Sequence, residues 1–172
     1  MNKKSSFSII LGIDPGTATT GYGVIQNSEG KQSKSQTNIK YIAHGVIKTP
    51  VGMAMGERLL MLHQELKKII GLHQPQTIVI EQLFFGRNSK TAMTVGQARG
   101  VVMVTAAQAK INTCEYQGLW MKKKLVGDGR ASKKQIQQYV RKVLGLYKLP
   151  RPDDAADALA LAICFINYGY KN

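Results

Sequence analysis

Two β-branched, apolar runs in this chain each stop on a carboxylate. Ser6 to Ile13 (SFSIILGI) runs into Asp14-Pro15-Gly16, and Thr77-Ile-Val-Ile runs into Glu81. Such runs read as buried strands. An acid that finishes one must emerge at the end of the sheet or be buried, and burial without a partner is expensive. The chain therefore has to build a sheet whose strand ends carry charge.

The remaining pattern supplies that sheet. Residues 21–27 (GYGVIQN) read as a second strand after a turn marked by Pro15, Gly16 and Gly21, and Tyr41 to Lys48 as a third. The polar stretch from Ser28 to Lys40 reads as an exposed hairpin loop between them. Leu59, Leu62, Leu66, Ile69 and Ile70 recur at helical spacing, so Met55 to Leu72 is an amphipathic helix that Pro75 ends. Thr77 to Glu81 is the fourth strand, residues 89–110 a second helix and Cys114 to Gln117 a brief strand. Leu119 to Arg130 reads as a basic, Gly-containing connection and Ala131 to Leu146 as a polar, basic helix. Pro150 and Pro152 precede a last helix, Asp153 to about Tyr168, apolar on most faces. The result is α/β: a mixed sheet with helices on both faces.

The chain has 172 residues, which suits one domain, 1–172, with a flexible lead over 1–6 and a tail over 169–172. At 44% hydrophobic and 20% charged it can bury a core, which excludes wholesale disorder. Twenty-four Lys and Arg against ten Asp and Glu leave +14, an excess that attracts polyanions, nucleic acid first. No run of 18 apolar residues exists, the apolar stretch before Asp14 is too short for a signal peptide, and no membrane role is expected. Cys114 and Cys164 have neither metal-ligand spacing nor a disulfide framework. The expected location is the cytoplasm.

With only ten acids, each can be questioned. Glu29, Glu57, Glu65, Glu115 and Asp128 lie in loops or on helix surfaces, where a solvated acid needs no explanation. Asp14 and Glu81 end strands, while Asp153, Asp154 and Asp157 open the last helix. Asp153 and Asp154 could serve as helix N-caps. Asp157 lies three residues after Asp154 on the same helix face, bracketed by Ala and Leu, and capping cannot cover both. Asp14, Glu81, Asp154 and Asp157 in one pocket could not stay ionised without compensation. Two divalent cations would neutralise them, and carboxylate donors suit Mg²⁺ or Mn²⁺. Such a pair clamps the attacking water and leaving oxygen of a phosphodiester. An acidic pocket in a cationic chain is what a metal-dependent nuclease requires.

From Lys122 to Lys148 there are nine Lys or Arg, including Lys123, Lys124, Arg130, Lys133 and Lys134, against one acid, Asp128. This stretch is the candidate phosphate-backbone contact, with Gly127 and Gly129 making its loop pliable. Lys122 or Lys133 could reach the metal pocket and stabilise charge on the phosphate. After Glu81 come Phe84, Phe85, Gly86 and Arg87. One exposed phenylalanine there could stack on an unpaired base or wedge a junction open. Tyr116 and Trp120 are weaker candidates of the same kind, and His44, His63 and His73 have no ligating pattern.

Gly12-Ile-Asp-Pro-Gly-Thr with Gly21-Tyr-Gly-Val, Ile80-Glu-Gln-Leu-Phe-Phe, Gly96-Gln-Ala-Arg-Gly-Val and Asp154-Ala-Ala-Asp-Ala-Leu-Ala together closely resemble the RuvC family of bacterial Holliday-junction resolvases, from about residue 7 to 168. The resemblance implies a ribonuclease H-like fold with a five-stranded mixed sheet. It also implies a Mg²⁺-dependent homodimer that makes paired symmetrical nicks across a four-way DNA junction, in cooperation with RuvA and RuvB. By matching motifs the family's metal-holding acids fall on Asp14, Glu81, Asp154 and Asp157, with Asp153 as a cap or outer-shell group. Its assisting lysines fall on Lys122 and Lys133, each open by one position because the lysines are consecutive, and Phe84 matches the aromatic at the junction centre. Two other readings stand beside it, a ribonuclease H-type enzyme acting on RNA or hybrids and a non-catalytic DNA-binding module. The first phosphate loop of the actin and Hsp70 ATPases is also similar to Gly12–Thr17, but those proteins close two lobes over the nucleotide, which needs a longer chain.

Overall fold

Alternation along the first strand decides how the molecule is layered. In the computed structural model, which describes residues 7–28, 39–82 and 89–169, β1 runs Phe7–Asp14. Leu11 and Ile13 point to one side of the sheet, and Ile10, Gly12 and Asp14 to the other. β2 (Thr19–Ser28) pairs antiparallel with β1, and β3 (Ile39–Lys48) antiparallel with β2 through a bulge after Val24. β4 (Thr77–Gln82) and β5 (Asn112–Gln117) add in parallel, giving the order β3-β2-β1-β4-β5. This is the expected five-stranded mixed sheet.

Each face carries its own core. α1 (Met55–His73) and α2 (Ser89–Gln108) cover Leu11, Ile13, Val24, Ile78 and Ile80. α3 (Gly118–Val126), α4 (Lys133–Val143) and α5 (Asp153–Tyr168) cover Ile10, Ile25, Val79, Cys114 and Tyr116. α5 lies directly on the strands because glycines leave room for it. A Cβ on Gly12 would run into the Ala158 carbonyl, and one on Gly21 into the Asp154 carbonyl. On Gly23 it would stand 2.7 Å from the Leu159 backbone nitrogen. The helix answers with Ala155, Ala158 and Ala162, all fully buried.

Several expectations are corrected. Leu119–Arg130 is not simply a pliable basic connection: most of it is α3, which buries Met121 and Leu125 and ends at Gly127 in a left-handed conformation, φ 85°. α4 is shorter than 131–146, because the Ser132 hydroxyl and the Gln135 side chain form a capping box that starts it at Lys133. Neither Asp153 nor Asp154 caps α5; its N-cap position is Pro152, with no side-chain cap bond. β1 extends one residue further than expected, so that Asp14 pairs with Gly21 inside the sheet. The lead over 1–6, residues 29–38 of the long loop, Phe84, Phe85, Arg87 and residues 170–172 lie outside the described residues. Among the described residues no helix is long and apolar enough to cross a membrane.

Candidate active site

Parallel pairing places the first two acids side by side. Ile13 of β1 pairs with Ile80 of β4, so Asp14 and Glu81 follow at adjacent carboxyl ends, both on the α5 face. Ligand sites in parallel sheets lie beyond strand carboxyl ends for this reason. The Glu81 carboxylate rests against Gly118 at the start of α3, where a Cβ would overlap Oε1. Together with Pro15, Gln82, Val95, Leu119 and Lys122, these residues line a cleft of about 530 Å³.

The close seat of α5 brings the other two acids within electrostatic reach. Burial is the main reason the Asp14 carboxyl sits well above the usual carboxylate range. The Glu81 charge, a hydrogen bond to Glu81, and the charges of Asp157 and Asp154 push it the same way. Burial also lifts Asp157, to about 6; Lys122 pulls it back, Glu81 pushes it up, Lys133 opposes and Asp153 adds to the rise. Asp154 is raised by burial and by Asp153, against Lys133. Among the described residues no three acid, His or Cys side chains are gathered into a ready-made metal cluster. What is present is a set of mutually repelling carboxylates, whose all-oxygen donors suit a hard divalent cation.

The basic candidates divide by position. Lys122, half-buried, lines the cleft with Asp14 and Glu81. Lys133 is exposed at its rim and donates a hydrogen bond to Asp153. That bond draws Asp153 below, and Lys133 above, their usual ranges. Lys123 and Arg130 flank a second groove with Trp120, Gly127 and Gly129, while Lys134 is exposed at the start of α4. Lys124 is held differently, with its ammonium 5.6 Å from the Trp120 ring centre and 5.4 Å from that of Tyr168. Tyr116 is fully buried with Trp120 stacked on it at 5.0 Å, so Tyr116 is a core aromatic rather than a base-stacking platform. Gly12, Gly21, Gly23 and Gly118 carry the placement of the acids. The glycines in Gly12-Ile-Asp and Gly21-Tyr-Gly were the available signal, but only the packing of α5 gives them meaning.

A family model described as crossover junction endodeoxyribonuclease RuvC matches residues 10–165. The chain belongs to the RuvC family. RuvC of Syntrophomonas wolfei is 49% identical over 92% of this chain and 88% of its own length. RuvC of Chloroflexus aurantiacus is 50% identical over 90% of each. The solved Thermus thermophilus RuvC superposes with a TM-score of 0.81 at 33% identity, covering 93% of this chain and 94% of that one. T. thermophilus RuvC in complex with a Holliday junction substrate gives 0.80 at 29% identity, with the same coverage. The yeast mitochondrial resolvase Ydc2, at 15% identity and TM-score 0.62, shares the fold.

Proposed function

We infer that this chain is a metal-dependent endodeoxyribonuclease that resolves four-way DNA junctions by paired symmetrical nicks in recombination and repair, with residues 1–172 forming one nuclease domain. The observation that carries this reading is a cleft with Asp14, Glu81 and Lys122 in its wall and Asp154 and Asp157 in electrostatic reach, in a chain of net charge +14 that belongs to the RuvC family. Asp14, Glu81, Asp154 and Asp157 would hold two divalent cations, Mg²⁺ with Mn²⁺ as substitute, which supply Lewis acidity and neutralise charge at the scissile phosphodiester. Lys122 sets a positive charge in the cleft wall, where it favours the phosphate and the charge that builds during its displacement. Lys133, tethered by Asp153 at the rim, adds to the same field. Lys123, Lys124, Arg130, Lys134 and Arg87 contribute the cationic contacts that hold the backbone, and Phe84 acts at the junction centre. Two copies match the two-fold symmetry of the junction, RuvA and RuvB supply branch migration, and the site of action is a bacterial cytoplasm.

The test is cleavage of a synthetic four-way junction beside linear duplex and RNA–DNA hybrid. Asp14→Asn, Glu81→Gln, Asp154→Asn and Asp157→Asn should each abolish cleavage and keep junction binding, because phosphate contacts remain while metal occupancy falls. Equal cutting of the hybrid, or full activity of the Asp157→Asn chain, would sink this assignment.

A further inference from the structure

Burying a polar side chain without need is costly, so the place where a chain concentrates such groups is informative. Among the described residues five polar or charged side chains are buried: Thr20, Thr49, Arg58, Thr77 and Thr105. Three of them converge beneath one turn, residues 15–18, which follows Asp14 directly. The Thr20 hydroxyl donates to the Gly16 carbonyl at 2.7 Å and accepts from the Gly16 N–H at 3.3 Å. From the other side the Thr49 N–H donates to the Ala18 carbonyl at 3.1 Å, and the Thr49 hydroxyl donates to the Thr17 carbonyl. Arg58 Nε in turn donates to that hydroxyl at 3.0 Å.

Arg58 is an odd residue to find here. It lies in the first turn of α1, where a cation meets the unfavourable end of the helix dipole, yet it is only 8% exposed. No carboxylate pairs with it among the described residues. The bond this cation makes to Thr49 is charge-assisted and polarises the hydroxyl toward Thr17. A group placed at this cost is there to hold something still.

We propose that Arg58 and Thr49 are positioning residues for strand cleavage: through the turn at 15–18 they hold Asp14 aimed into the cleft. The proposal rests on the reading of Asp14 as a member of the cleavage site. The brace is mechanical: its hydrogen bonds run to the Gly16, Thr17 and Ala18 backbone that follows Asp14. Pro15, inside the braced turn, itself lines the cleft.

The decisive comparison is Thr49→Val against Thr49→Ser, with wild type and Asp14→Asn alongside. Valine keeps the shape and loses the hydroxyl, while serine keeps the hydroxyl. Thr49→Val should bind the junction within about twofold of wild type and cut at least about tenfold more slowly in single turnover, since small misplacements of reacting groups cost up to about 10²-fold. Thr49→Ser should restore the rate. Amide exchange of Gly16 and Thr49, the two N–H groups bonded across the turn, should quicken in Thr49→Val and not in Thr49→Ser, with β5 unchanged as the internal control. Wild-type cleavage by Thr49→Val, equal slowing by serine and valine, or slow cleavage with unaltered exchange would each overturn the brace. If Thr49→Val does not fold, Arg58→Lys replaces it, since lysine keeps the charge but not the planar donor geometry; wild-type cleavage by that variant, or slow cleavage with unaltered exchange, overturns the brace. A wild-type chain that fails to cut junctions, or an active Asp14→Asn chain, overturns the functional reading instead.

Discussion

At the scale of single residues, the acids of the cleft work against folding. A carboxyl whose folded pKa is raised binds its proton more tightly in the folded state than in the unfolded one. Its contribution to stability is therefore greatest at low pH, falls as the pH rises from about 4 through the folded value, and stays low above it. For Asp157 that window closes at about 6. Asp157→Asn should thus raise the melting temperature at pH 8 without divalent cations by roughly 2–8 °C, and by much less at pH 5, where the proton is already present. A pH-independent change would show that Asp157 is not strained by its surroundings. Asp153 is opposite in sign, being drawn down by Lys133, but that pair is exposed and worth little. Gly118 allows placement to be separated from stability. An added Cβ there would displace only the mobile end of Glu81, and alanine suits a helix start. Gly118→Ala should therefore keep its melting temperature within about 2 °C and lose about 10- to 100-fold in cleavage rate. A normal rate would mean that Glu81 can act from a second position.

At the scale of elements, strands were legible because apolar, β-branched runs stand between turn residues, and Asp14 and Glu81 were legible as their ends. α3 was harder to see. Three consecutive lysines and flanking glycines resemble a loop, yet Met121 and Leu125 supply one buried stripe at helical spacing, enough for a helix of nine residues. The Asp154–Asp157 pair was visible as spacing, whereas the reason it reaches Asp14 was not. That reason is the glycine slot for α5, which depends on which strand faces meet the helix. The threonines beneath the Asp14 turn were likewise silent, since Thr49 is 29 residues from Thr20 in the chain and ordinary in its local context. The slot makes a sharp forecast. Gly23→Ala puts a methyl 2.7 Å from the backbone of Leu159, which cannot rotate away. Overpacking of this kind costs about 2–3 kcal/mol, or about 4–12 °C in melting temperature for a chain of this size. Cleavage should fall with it, because α5 carries Asp154 and Asp157 as it moves. An unchanged melting curve would mean that the helix does not sit where the glycines place it.

At the scale of the whole molecule, the two faces of the sheet have different surfaces. The basic run belongs to α3 and α4, on one side. On the other, α1 and α2 leave a groove of about 510 Å³ lined by Leu59, Leu60, His63, Gly100, Val101 and Val104. Leu60 and Val104 are 55% and 56% exposed beside it. The small residues of α2 are split by the fold. Ala98 faces the sheet core, but Ala92, Gly96 and Gly100 recur every fourth residue, and a Cβ on either glycine would meet nothing within 4 Å. Among the described residues nothing fills that space. If two copies pair as proposed, two chains of +14 repel, so the dimer needs an apolar seam, and a seam on this side would leave both basic surfaces free for DNA. Val104→Glu tests this directly. In a lone chain an exposed valine can become glutamate within about 0.5 kcal/mol. In a dimer joined here, each copy would bury an unpaired carboxylate in the seam. The variant should fold with a near-normal melting curve and sediment as a monomer at micromolar concentration. It should bind the junction more weakly and release singly nicked junctions in place of paired nicks. A Val104→Glu chain that remains dimeric and still cuts both strands together would place the symmetric contact on another face.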